Sequence, residues 1–380
     1  MTFLHFFLIP LTKGYAFDEN YYIPAGLDLL KGKFSNLEHP FLGKLWVSLG
    51  VLIFGNSPLG WRFFYAIIGI LTLLVYWKIS KELLDESKAF FALTLLSLEN
   101  MFFIHSNLAL LDIPSIFFSL LALLSVLKKK YLLVGIFLGL ALLNKESALL
   151  FLFIILSFLL RRKTHSLKIL LILVITFLTF IIPLTFYDQI YKPRFIFQGK
   201  EWIINNALDH VYFIYVYSST LTMDLLKEPN KGNFAWNWII PSLEPFEPMG
   251  YYYEEVKEDN KIIAYISWVG MGNLPIWWSF WFSFPFSLYN VIFKKGKDMD
   301  YLTLSWISLS YFPFLYLSYF ANRIVYPFYF LNTIPILTLA LPYYMSSLLK
   351  DDLKFHLFMS IYSIFALFFF LYYFPYKIVI

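Results

Sequence analysis

YLLVGIFLGLALLNKESALLFLFIILSFLL, Tyr131–Leu160, is the run on which the reading of the whole chain turns. At about 30 apolar residues it is too long for one ordinary membrane span, which needs roughly 20. Asn144-Lys145-Glu146-Ser147 interrupts its middle. Two short helices meeting at that polar tetrapeptide fit the pattern better than one long helix.

Outward from this run, the chain alternates apolar stretches with charged links. Towards the C-terminus, Arg161-Arg162-Lys163 leads to the run Leu167–Phe186. Hydropathy then falls from Tyr187 to about Lys261, a long loop with an expected interfacial helix near Leu208–Leu226. Ile262–Phe293, Tyr301–Phe320, Ile324–Met345 and Phe355–Phe374 complete the apolar set. Towards the N-terminus, Leu108–Leu127 and Phe90–Ile104 are joined by His105-Ser106-Asn107. Leu59–Ile79 precedes them across the charged link KISKELLDESK. Leu45–Phe54 is too short to span and reads as interfacial. Met1–Phe17, interrupted by Lys13, lacks a basic start and a small-residue cleavage site, so it reads as a short first membrane helix rather than a leader. Between these lies the polar stretch YAFDENYYIPAGLDLLKGKFSNLEHPFLGK, Tyr15–Lys44.

Charge bias tests the division of Tyr131–Leu160. With two short spans there, the chain makes about eleven crossings, and KISKELLDESK, KKK, RRKTHSLK, KKGK and KDDLK all fall on one side. That side is the cytoplasmic one. A single span would put RRKTHSLK outside and spoil the bias. The outer face then receives the first loop (18–58), the link His105-Ser106-Asn107, Asn144–Ser147, the long loop (187–261) and Ala321-Asn322-Arg323. The expected architecture is an all-α polytopic membrane bundle, residues 1–380 forming a single unit with extracytoplasmic interfacial helices.

Composition agrees with this reading. Hydrophobic residues make up 59% of the chain and charged ones only 14%, where a soluble domain carries about a quarter. The net charge of +5 sits in loops that insertion alone makes basic, so it marks no nucleic-acid partner. With no cysteine there is no disulfide, thiolate metal site or thiol nucleophile. The histidines form no HExxH pair.

Several charges lie inside or at the rim of apolar runs: Arg62, Glu99, Asp112 and Lys145-Glu146. Each costs roughly 2.5–3.5 kcal/mol at mid-bilayer, so each should face the interior with a partner. Taken singly, such a residue reads most plainly as half of a structural ion pair, for instance Arg62 with Asp112. Taken together, Arg62, Asp112 and Lys145 lie at one level beside the acidic first loop, with Glu99 about two turns deeper. That clustering favours a site.

These residues fall in stretches that resemble the protein O-mannosyltransferases, membrane enzymes of the GT-C type that use a dolichyl-phosphate-mannose donor. FDE (17–19) with EHPFLGK (38–44) resembles the family's FDE and D-HPPLGK in the first extracytoplasmic loop. GWRFFYAIIG (60–69), ENMFFIHSNLALLD (99–112), GLALLNKESALL (139–150), MGNLPIWW (271–278), and Arg323 with YPFY (326–329) follow in the family's order. The chain departs from the pattern at Glu38 for Asp, Phe41 for the second Pro, Asn107 for Arg, and Leu274 inside Gly-Asn-Pro. The long loop, about 75 residues, is too short for the lumenal MIR domain of the eukaryotic enzymes.

The resemblance implies a GT-C bundle that transfers mannose or a related hexose, with inversion, from a polyprenyl- or dolichyl-phosphate carrier to Ser/Thr hydroxyls of a protein or peptide. It implies Asp18 as the catalytic base and Glu19 as a catalytic-site neighbour that positions acceptor or donor. His39, Lys44, Arg62, Lys145 and Arg323 are then the donor-phosphate residues. Glu38, Glu99, Asn100, Asp112 and Asn273 support them. A divalent metal on Asp18, Glu38 or His39 is compatible with the sequence, which does not require one. Two alternatives remain: a transferase acting on a lipid or glycan acceptor, and a transporter or lipid flippase. Transporters place their charged site near mid-membrane between repeats, whereas these charges gather at one face and no repeat is visible.

Overall fold

The computed structural model describes residues 2–225, 234–240, 249–259 and 261–379. The tail of the expected interfacial helix beyond Leu225 lies outside these. Tyr131–Leu160 folds as expected into two helices, Tyr131–Asn144 and Leu149–Arg161, separated by a single turn at Glu146–Ala148. Lys145, extended at φ −157° and ψ 135°, makes the break.

Helix starts follow from local chemistry. Ser57 accepts the Gly60 N–H at 3.3 Å and Pro58 occupies the first turn, where its missing donor costs nothing; the helix Pro58–Leu83 begins there. Asp85 accepts the Lys88 N–H at 3.1 Å and opens Glu86–Ser97. Glu99 accepts the Phe102 N–H at 2.5 Å and opens Asn100–Asn107. These last two helices meet at 61°, so the expected run Phe90–Ile104 is bent at Glu99 rather than continuous. His105-Ser106-Asn107 are the final helical residues and not a link. The connection to Asp112–Leu127 is made by Leu108–Leu111 instead.

Among the described residues, Pro58–Leu83, Ser166–Tyr191 and Asp352–Tyr372 are long and apolar enough to cross a membrane, and the bent pair makes a fourth. Shorter apolar helices, including Leu42–Phe54, Asp112–Leu127 and Ile334–Leu349, pack around them. Only 17% of the most apolar window of Ser166–Tyr191 is buried, and 22% of that of Asp352–Tyr372. Leu170, Phe177, Phe186, Leu357, Phe365 and Phe368 are exposed there. Apolar helices with so little cover face lipid.

The long loop holds more order than hydropathy indicates. A short hairpin, Arg194–Phe197 with Lys200–Ile203, precedes the helix Ala207–Thr220. A three-stranded antiparallel sheet follows, Met249–Glu258, Lys261–Gly270 and Tyr376–Ile378 in that order. The expected span Ile262–Phe293 is therefore strand at its start and helix only from Leu274–Trp278 and Phe280–Phe293 onward. Its beginning is the alternating KIIAYISWVG, with Ala264, Ile266 and Trp268 buried, a period of two that marks a strand. In the first pair, Gly250 faces Val269 and Tyr252 faces Trp268, so Tyr251 is a bulge without a cross-strand partner.

Candidate active site

A cavity of about 560 Å³ opens where the first loop, the break at Lys145, the helix Ala207–Thr220 and the segment Arg323–Tyr329 meet. Asp18, Glu38, His39, Lys145, Glu146 and Arg323 line it together with an aromatic set that includes Tyr22, Tyr217, Tyr326, Phe328 and Tyr329.

Asp18 is delivered by an unusual backbone. Phe17 is left-handed at φ 52°, a conformation non-glycine residues adopt rarely and at a cost. It is held there by its N–H, which donates to the Tyr251 carbonyl at 3.0 Å, and by its ring, stacked on Tyr251 at 4.3 Å. The next residue, Asp18, starts the helix Glu19–Leu30 and accepts the Tyr22 hydroxyl at 3.4 Å. Burial pushes the Asp18 carboxyl up to about 6, against the opposing pull of Lys145 and then His39. Such a group is poised near neutral pH, the range in which a carboxylate base works best.

On the other walls, His39 Nδ1 meets Glu146 Oε2 at 2.8 Å, tying the first loop to the helix break. Glu38 accepts from Asn36 Nδ2 at 2.7 Å, while Asn36 Oδ1 is buried without a protein partner among the described residues. The Lys145 ammonium donates to Asp112 at 2.7 Å and lies 4.9 Å from the centre of the Phe328 ring. Arg323 donates through Nη1 to the Ser218 hydroxyl at 2.8 Å.

Three expected site residues stand behind the cavity wall. Glu19 is fully buried and accepts from Arg62 Nε and Nη2, from the Ala16 N–H at 2.8 Å and from the Ala109 N–H at 2.6 Å. Arg62 also donates to the carbonyls of Thr12, through Nη1, and Gly14, through Nη2. A guanidinium engaged on four sides by protein has no fork left for a phosphate, and a carboxylate accepting four donors has no acceptor face left for a substrate. Arg62 thus pairs with Glu19, not Asp112, and neither reaches the cavity. Lys44 is likewise buried, donating to the carbonyls of Asn36 and His39. It shapes the loop that carries Glu38 and His39.

Glu99, Asn100 and Asn273 form a separate knot. Glu99 accepts the Asn273 N–H and the Trp277 indole, both at 3.0 Å, in addition to capping its own helix. Asn273 donates to the carbonyls of Leu98 and Ala366. Asn100 donates to the Phe370 carbonyl. They fix the 61° bend rather than meet the cavity. Tyr217 and Ser218 on the cavity wall carry no sequence signal, since they lie in a helix that reads as interfacial. Among the described residues no group of three or more His, Asp or Glu stands close enough to hold a metal ion.

The fold is that of the GT-C membrane glycosyltransferases, and the chain is an integral multi-pass membrane protein. It superposes on a chain of the Saccharomyces cerevisiae protein O-mannosyltransferase Pmt1–Pmt2 complex bound to the sugar donor. That match has a TM-score of 0.74 at 12% identity, covering 98% of this chain and 88% of that one. ArnT from Cupriavidus metallidurans bound to undecaprenyl phosphate matches with a TM-score of 0.59 at 14% identity, over 89% of this chain and 57% of that one.

Residues 38–187 match the family model for dolichyl-phosphate-mannose-protein mannosyltransferases, the family that the motifs resemble. A polyprenol-phosphate-mannose–protein mannosyltransferase of Corynebacterium glutamicum is 32% identical over 117 residues, 27% of this chain and 22% of the relative. The Mycolicibacterium smegmatis protein of the same description is 28% identical over 115 residues, 28% of this chain and 22% of that one. The matched segment thus covers about a fifth of these relatives' length.

Proposed function

We propose that this protein is an inverting, polyprenyl-phosphate-sugar-dependent glycosyltransferase that moves mannose or a related hexose to Ser/Thr hydroxyls of a protein. One observation carries the reading: a carboxylate poised near neutrality, Asp18, lines the same cavity as two cations, Lys145 and Arg323. Transfer needs that combination. The acceptor oxygen attacks the anomeric carbon as Asp18 takes its proton. The bond from that carbon to the phosphate oxygen breaks, and the polyprenyl phosphate leaves with the electron pair. Lys145, as a point charge, and Arg323, through its planar fork, meet the charge that develops on it.

His39 and Glu38 complete the donor end, and Asn36 Oδ1 is an acceptor for a sugar hydroxyl. Glu19, Arg62 and Lys44 act here through the walls they build. The site faces the extracytoplasmic side, because the basic loops gather on the other one. The chain works as a single membrane-embedded unit. The names of the relatives support mannose and a protein acceptor. A lipid acceptor is the second reading.

Purified protein supplied with polyprenyl-phosphate-mannose and a Ser/Thr peptide should release polyprenyl phosphate and mannosylate the peptide. Turnover confined to lipid or glycan acceptors would refute the protein acceptor and keep the transferase. No turnover with any acceptor would refute both.

A further inference from the structure

The Lys145 ammonium is the end of a buried chain that begins in the long loop. Asp112 accepts from Lys145 through Oδ1 at 2.7 Å, and its Oδ2 meets His105 Nδ1 at 3.2 Å. A carboxylate paired with an ammonium only accepts, so Nδ1 carries the proton and Nε2 is left to accept. Nε2 meets the Tyr251 hydroxyl at 3.1 Å, and that hydroxyl has a second, weaker acceptor in Met101 Sδ at 3.7 Å. His105, Tyr251 and Asp112 are all buried. Four separate elements contribute one residue each: a strand, two helices and a helix break.

Tyr251 also holds the other side of the cavity. As the bulged residue of its strand it has no cross-strand partner, and bulges serve to re-aim a side chain. Its carbonyl and ring take the Phe17 N–H and the Phe17 ring, and Phe17 presents Asp18. One residue is therefore bonded towards the carboxylate and towards the ammonium.

We propose that Tyr251 is a positioning residue that sets the Lys145 ammonium against Asp18 in one frame, reaching Lys145 through His105 and Asp112. The part played by Lys145 in turnover rests on the transferase reading above; its placement by Tyr251 does not.

Tyr251→Phe separates the two bonds, because it keeps the ring on Phe17 and removes only the hydroxyl. Two readouts are taken on the purified full chain. The first is acylation of Lys145 by a small amine-reactive reagent, followed by mass spectrometry. The second is kcat and KM with polyprenyl-phosphate-mannose. In Tyr251→Phe, Lys145 should acylate faster by about fivefold or more, and kcat should fall about tenfold with donor KM little changed. His105→Ala should do the same, and His105→Gln, whose amide can donate to Asp112 and accept from Tyr251, should recover most of the loss. Unchanged Lys145 reactivity in Tyr251→Phe overturns the proposal whatever happens to turnover. Raised reactivity with unchanged kcat overturns its role in the reaction. Raised reactivity in a protein whose wild type shows no turnover sustains the placement of Lys145 and refutes the transferase reading instead.

Discussion

Asp18 and Glu19 are adjacent carboxylates with opposite surroundings. Asp18 starts a helix and looks into a cavity, while Glu19, one residue on, turns inward and is consumed by Arg62 and two backbone donors. Asp18→Asn, isosteric but unable to take a proton, should lower turnover by about 10²–10⁴-fold with folding intact, measured as initial rates on monodisperse protein. The sign of the pH dependence follows from the raised carboxyl. The base works ionised, so kcat/KM should fall roughly tenfold per pH unit below about 6 and level off above it. An acid limb centred near 4 would show that Asp18 is not the titrating base. Arg62→Met leaves Glu19 charged, buried and short of its partner, so it should cost about 3–5 kcal/mol of stability, read as a large drop in thermal unfolding temperature. Sequence reasoning singled out both acids because both sit in a polar island. Which one faces the cavity depends on Arg62, 43 positions away, and no local pattern carries that.

At the scale of elements, the split at Lys145 was legible because thirty apolar residues exceed a bilayer and a charged tetrapeptide has to leave lipid. The bend at Glu99 was not, because its cause lies in donors from Asn273 and Trp277, far along the chain. The close packing of Tyr131–Asn144 against Ser166–Tyr191 depends on Gly135 and Gly139, one helical turn apart. A Cβ on Gly139 would lie 2.5 Å from Thr179 Cβ and 3.0 Å from the Thr176 carbonyl. Small residues at such spacing let membrane helices approach closely. Gly139→Leu should therefore push the two helices apart and sharply reduce the yield of monodisperse protein, whereas Leu140→Met on the same helix should leave it near wild type. Equal yields of the two variants would show that this contact carries little. The sheet is the element that hydropathy misread, since an alternating strand and the end of an apolar span look alike when averaged over a long window.

For the whole molecule, the chain's lack of cysteine makes its sidedness directly measurable. Single cysteines at the exposed positions Asn20, beside the cavity, and Lys129, in a basic link, test it. Asn20→Cys should react with a membrane-impermeant maleimide on intact cells, and Lys129→Cys only after permeabilisation. The reverse pattern would put the cavity on the cytoplasmic side. What the sequence determined by itself was the class of molecule, the polar stretches around the cavity, and the family resemblance. Each of these follows from composition, run length or residue order, which need no third dimension. Tertiary structure alone decided which charges face the cavity and which meet each other. Asp18, Lys145 and Arg323 reach the cavity, while Glu19, Arg62 and Lys44 close on protein partners. The physical reason is that a buried charge must be satisfied by whatever donors or acceptors the packing brings to it. Arg62 lies 43 residues and Ala109 90 residues from Glu19 in the chain, whereas Lys44 closes on carbonyls of its own loop.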